Sequence, residues 1–326
     1  MDRDGYRALL RSRKVSEDKI EASVTMAERF EAYLSSLPGK PDSASIWEFT
    51  RQLIQEKQNT QDNLLALARY GRFIQDNIIY VAILELLDGA EVQPNLYQKV
   101  ETLFGNTIRD QVFAGIGVSP LGLPSPEKPY DLFPALDRLI GRVGYDQVML
   151  LLSACLRDLP DEYFLEEREK YIKTSNIDAY LVSAHQELVN ELEKCLHESQ
   201  LFFSQEITPE VLQYVRERPE TECGVREGNT LYITKIPYNA KQYLVETDPV
   251  MKRFYVCHCP WVRHGIKAGN LHLDPVFCNC SGGFSKKPWE IIFGQSLQVD
   301  VLESALKGDF RCRFAVHLPE NLVMTV

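Results

Sequence analysis

Apolar residues return every third or fourth position through most of the first 218 residues, the period that places one face of an α-helix against a core. Ser16, followed by the first-turn acids Glu17 and Asp18, predicts a helix with Ile20, Val24, Ala27, Phe30 and Leu34 on its apolar face, stopped by Pro38-Gly39. Ser45 with Glu48 predicts a capping box for the next helix, and Thr60 opens a third carrying Leu64, Leu65, Leu67 and Ala68. The run from Asn77 to Leu87 is apolar nearly all round, so it predicts a central bundle helix that ends at Asp88-Gly89. A shorter pair of helices, Leu96 to Phe104 and Ile108 to Ile116, leads to a Pro- and Gly-rich loop from Gly117 to Pro129, read as a crossover. Helices recur at Leu132 to Ile140, Tyr145 to Arg157 and Asp161 to Tyr171, and Ile177 to Phe203 holds one or two more. Thr208 then caps a helix with Pro209 at its first position, which Pro219 ends.

From Glu220 the period shortens to two. Cys223–Arg226 and Thr230–Thr234 flank Glu227-Gly228-Asn229, a hairpin signal, and a short helix is predicted over Tyr238–Val245. Leu297–Glu303 and Arg311–Leu318, joined through the turn residues Lys307-Gly308-Asp309, predict a second hairpin. The β-branched and aromatic runs Arg253–Cys259 and Pro275–Cys280 predict two further short strands. The pattern thus predicts an α+β protein: an all-α bundle over residues 1–219, then a smaller α+β domain over 220–326.

At 326 residues and 44% hydrophobic, the chain can bury two ordinary cores. A net charge of -10 argues against nucleic-acid partners, which require a basic face. The opening Met1-Asp2-Arg3-Asp4-Gly5 has no apolar signal-peptide core, and no stretch of about 18 apolar residues occurs, so a cytoplasmic protein without membrane contact is predicted. In that compartment, the eight cysteines are read as thiols available for ligation rather than as disulfides. A homodimer is compatible with the sequence.

Candidate chemistry concentrates between Cys257 and Cys312. Two Cys-x-Cys pairs, Cys257/Cys259 and Cys278/Cys280, are followed by Glu303 and Cys312, a dense metal-ligand vocabulary. On a strand, Glu303 shares a face with Leu297, Val299 and Val301. A carboxylate closing such a row needs a cation, a hydrogen-bond partner or a proton, and a zinc ion would supply the cation. An iron-sulfur cluster is the alternative for four thiols, though no familiar cluster spacing is present. Cys155, Cys195 and Cys223 stand alone and read as small buried hydrophobes. Phe254, Trp261, Phe284 and Trp289 are the aromatics assigned to an apolar ligand pocket beside the thiols.

The residues Cys280-Ser281-Gly282-Gly283-Phe284, Gly294, Glu303, Gly308-Asp309 and Cys312-Arg313-Phe314 resemble the vinyl-4-reductase domain, a small-molecule sensor module of bacterial regulators. The resemblance implies a structural zinc held by three Cys and the Glu. The family's Cys three residues after Glu303 is Leu306 here, which leaves Cys278, Cys257 or Cys259 to take its place. Cys257-His258-Cys259 together with Gly308-Asp309-x-x-Cys312-x-Phe314 is also similar to the 2-amino-thiazoline-4-carboxylic acid hydrolase family. The two resemblances cover roughly the last 100 residues.

Beside a helical interaction protein whose metal site is only a staple, two function classes follow from these residues. One is a zinc-stabilised module that binds a small apolar or aromatic molecule, with Cys280, Glu303 and Cys312 as ligands and Cys278, Cys257 or Cys259 as the fourth. The other is a thiol-dependent hydrolase of a small cyclic amide-like or thiazoline-like substrate, with Cys257, Cys259, Cys278 or Cys280 as nucleophile and His258 or His264 as base. A metal-free thiol of depressed pKa would favour the second.

Overall fold

The computed structural model describes residues 1–128, 132–174 and 176–320. It has a mostly helical N-terminal region, residues 3–197, followed by a mixed α+β region with a four-stranded antiparallel sheet.

The first compact unit comprises residues 1–90 and the segment 117–129. Its helices are α1 (Arg3–Ser12), α2 (Glu17–Ser36), α3 (Ser43–Gln55), α4 (Gln61–Phe73) and α5 (Asn77–Leu87). Ile20, Val24, Ala27 and Phe30 are buried at the predicted helical spacing. The capping box sits one turn earlier than the sequence suggested. Asp42 accepts the Ser45 amide at 2.8 Å, and Ser45 Oγ takes the Asp42 amide at 3.0 Å, which leaves Glu48 free to bind Arg51. Helix α5 buries only one face, through Ile79, Ala82, Ile83 and Leu86, while Ile78 stays exposed. The crossover loop returns to this unit: Leu121 packs on its core, the Asn59 side chain donates to the Leu121 carbonyl at 2.9 Å, and Lys128 donates to the Asp88 carbonyl at 2.9 Å. Pro129, its predicted end, lies outside the described residues.

The second compact unit holds residues 91–116 and 130–326, so the boundary expected near residue 219 falls inside it. Its helices are α6 (Val92–Val112), α7 (Leu132–Val143), α8 (Tyr145–Ser153), α9 (Leu165–Thr174) and α10 (Ile177–His197). Helix α6 is broken at Gly105, whose φ of 81° no helical residue adopts, and this is why two helices were legible there. A ribbon of β1 (Leu201–Phe202) and β2 (Gln205–Glu206) precedes α11 (Pro209–Arg216), so strand pairing begins before Pro219.

Next come β3 (Val225–Glu227), β4 (Thr230–Thr234), α12 (Ala240–Val245), α13 (Pro249–Val256), α14 (Arg263–Ala268), α15 (Asn279–Phe293), β5 (Gln298–Glu303) and β6 (Arg313–His317). The sheet order is β3-β4-β6-β5, and both predicted hairpins form in antiparallel register. The two cysteine runs are not strands. Arg253 to Val256 closes α13, Pro275–Cys278 is a 3-10 turn, and Cys280, Gly282 and Gly283 lie in the first turns of α15. Their β-branched and aromatic residues pack from helical faces into the core around Trp261, which overrides strand propensity.

Helix α15 lies on the sheet. Its Trp289, Ile292 and Phe293 join Val299, Phe314 and Val316 in one apolar core. Gly282 lets it come close, because a Cβ there would meet Val299 Cγ1 at 3.3 Å. Among the described residues, no helix is long and apolar enough to cross a membrane.

Candidate functional site

The thiols gather, but in a different grouping from the one the spacing suggested. The electrostatic influence of one sulfur on the next links Cys155 to Cys280, Cys280 to Cys259, and Cys257 to Cys259, Cys278 and Cys312. Cys257 ends α13, and the Cys259 carbonyl accepts the Val262 and Arg263 amides, so that turn is fixed by backbone bonds. Cys278 hydrogen-bonds Ser304. Cys312 sits just before β6, and its carbonyl accepts the Lys235 amide at 2.9 Å. Burial raises the pKa of Cys257, of Cys278 (to about 12) and of Cys312, so each stays a neutral thiol at pH 7.

Glu303 is paired with an arginine, although its charge still acts on Cys312. Its carboxylate takes both arms of the Arg311 guanidinium, Nη2 at 2.7 Å and Nε at 3.0 Å. The pairing register shifts between Val301 and Glu303, and Arg311 supplies the cation that the pattern called for. The set Cys280, Glu303, Cys312 with Cys278, Cys257 or Cys259 therefore does not fit a zinc ion as arranged. Among the described residues, no group of three or more His, Cys, Asp or Glu side chains is placed to hold a metal.

The aromatics do not share a pocket either. Trp261 is 1% exposed in the core with Val256 and Phe277, whereas Trp289 is buried in the other core against Tyr180, ring centroids 5.9 Å apart. Phe254 stacks edge-on with His264 at 5.3 Å. Phe284 is partly exposed, with the Lys235 ammonium 4.3 Å above its ring. His258 Nε2 bonds the Ile236 carbonyl at 2.6 Å.

One pairing of reactive groups involves Cys155, read from the sequence as a small buried hydrophobe. Cys155 follows α8 at the position where a helix commonly ends on glycine, with φ at 61°. A non-glycine residue there costs about 1 kcal/mol or more. Two backbone amides serve the pair. Arg157 N–H donates to Cys155 Sγ at 3.4 Å, and Leu156 N–H donates to Cys280 Sγ at 3.4 Å. Cys280 Sγ thus sits at the amide of the residue that follows Cys155, and the two thiols titrate together. Cys280, the Arg157 amide and the charges of Arg157 and Lys235 bring the Cys155 pKa down to about 7, while Cys155 and burial push Cys280 up.

Glycine makes this meeting possible. A Cβ at Gly283, one turn after Cys280, would lie 2.5 Å from the Ser153 carbonyl oxygen and 2.7 Å from the Cys155 nitrogen. Cys155 also lines a cavity of about 350 Å³ with Asn95, Lys99, Arg157, Asp158 and Lys287. Arg157 binds Glu91 at 2.5 Å and Lys287 binds Asp161 at 2.6 Å. No local motif in Ala154-Cys155-Leu156-Arg157 marks the site. The one available signal is a cysteine at a predicted helix end, where glycine is the usual residue.

A scan against protein-family models and searches of the curated proteins and of the solved structures return no match to this chain.

Proposed function

We propose that this protein carries out thiol chemistry on a small molecule through the Cys155–Cys280 pair, with Cys155 attacking and Cys280 resolving. The observation that carries the reading is the meeting of two cysteines from distant parts of the chain, with Cys280 Sγ 3.4 Å from the Leu156 amide beside Cys155, at a residue that lines a ligand-sized cavity. Hydrolysis would need a base beside the nucleophile, whereas a second thiol beside it suits thiol–disulfide exchange.

In that exchange the Cys155 thiolate attacks one sulfur of a disulfide RSSR, forming a mixed disulfide and releasing RS⁻. Cys280 gives up its proton, attacks the Cys155 sulfur and expels the second thiolate. One RSSR is reduced to two RSH, and the protein dithiol is oxidised to one disulfide. The amide at each sulfur holds the negative charge as it develops.

The test is peptide-resolved alkylation with limiting iodoacetamide. Cys155 should be modified first among the eight cysteines, with a rate rising through a midpoint near pH 7. Cys257, Cys278 and Cys312 should react only on unfolding. Equal rates at Cys155 and Cys257 in the folded protein would refute the reading.

A further inference from the structure

The cavity beside Cys155 holds two opposite charges that do not neutralise each other. Lys99 reaches it from α6, and its ammonium donates to the Ala154 carbonyl at 3.4 Å. Asp158 reaches it from the loop after Cys155, and its Oδ1 accepts the Asn95 amide at 2.7 Å. Neither forms an ion pair among the described residues, although both line the cavity that Cys155 lines.

Their anchors hold both side chains in place. Asn95 is itself fixed, since the same Nδ2 also donates to the Leu156 carbonyl at 3.0 Å, so the carboxylate of Asp158 is tied to the backbone that carries Cys155. Lys99 is tied to the same loop through Ala154. The other charged wall residues are already satisfied: Arg157 by Glu91, Lys287 by Asp161 and Glu290 by Lys286. What remains for a ligand is one ammonium, one carboxylate and one thiol.

We propose that the cavity takes a small disulfide bearing an α-amino acid headgroup, its carboxylate on Lys99 and its ammonium on Asp158. The proposal rests on the thiol-exchange reading of Cys155. A zwitterion satisfies both charges together, whereas an anion or a cation alone leaves the opposite wall charge facing its like. The headgroup contacts orient the disulfide sulfur toward Cys155, so selectivity appears in the rate of mixed-disulfide formation.

The experiment measures that rate at Cys155 by mass spectrometry for four disulfides of similar length: cystine, cystamine, dithiodipropionate and hydroxyethyl disulfide. Rates are corrected for each disulfide's intrinsic reactivity with a free thiol. Cystine should react roughly tenfold faster than the neutral compound, the combined worth of two partly exposed ionic contacts. Lys99→Met should remove most of that advantage and move cystamine ahead of dithiodipropionate. Asp158→Asn should reverse that order. Four equal rates in the native protein, or a cystine preference unchanged in both variants, would overturn the zwitterion site and leave the thiol-exchange reading standing. A Cys155 thiol left reduced with all four, neither as a mixed disulfide nor cross-linked to Cys280, would overturn both.

Discussion

Gly283 and Ser153 stand so close that a single added carbon on Gly283 would lie 2.5 Å from the Ser153 carbonyl oxygen. Helix α15 thereby passes against the turn after α8, and Cys280 meets Cys155. The glycine serves an approach of two backbones, not a turn.

Gly283→Ala should therefore cost stability, by roughly 1–3 kcal/mol, because backbone on both sides leaves little room to yield. It should also slow alkylation of Cys155 by separating the two sulfurs. Urea midpoints and the labelling rate measure the two effects. Gly141→Ala in α7, a helical glycine where nothing lies within 4 Å, is the control for the conformational term alone.

Cys155 itself stores strain. Cys155→Gly should be more stable than Cys155→Ala by about 1 kcal/mol, since only glycine adopts its positive φ without cost. Both variants should lose disulfide exchange completely. Equal stability of the two would show that the left-handed backbone at this residue is not strained.

Glu222 makes stability depend on pH. Its carboxyl accepts the Ile236 amide at 2.7 Å, but burial raises its pKa more than the Lys235 charge lowers it. A raised folded value means stability is fully present below the unfolded value of 4.5 and is lost as pH rises through the folded one. Glu222→Gln keeps an acceptor for Ile236 and cannot ionise. Its stability relative to the native protein should therefore climb as pH rises above 4.5. Denaturation midpoints at a series of pH values measure this, and a constant difference would contradict it.

Metal removal separates the thiol reading from the zinc clamp implied by the resemblance. With Glu303 held by Arg311, protein purified without a chelating resin should carry less than stoichiometric zinc and melt at the same temperature after treatment with a chelator. Stoichiometric zinc whose removal lowers the melting temperature would restore the clamp. Arg311→Ala should cost no more than about 1 kcal/mol, because its guanidinium is half exposed and screened by solvent.

Much of the fold was legible because it is written in local periods. The helical spacing of Ile20 to Phe30 and the alternation of Cys312, Phe314, Val316 and Leu318 each name a buried face directly. The runs ending in Cys259 and Cys280 misled, because their strand-forming residues pack from helices and a 3-10 turn into one core, a tertiary outcome that propensity does not encode. Glu303 was placed in the correct strand, yet the cation it meets is Arg311. Cys155 was missed for a plain physical reason: its partner is 125 positions away, and only the fold brings the two together.

Disulfide mapping tests the central claim most directly. The folded native protein is exposed to one equivalent of a small disulfide, quenched with acid, and digested for tandem mass spectrometry. The account predicts a Cys155–Cys280 cross-linked peptide as the main product, with two equivalents of small thiol released and with a Cys155 mixed disulfide accumulating in Cys280→Ser. Preferential oxidation among Cys257, Cys259, Cys278 and Cys312, with Cys155 left reduced, would contradict it.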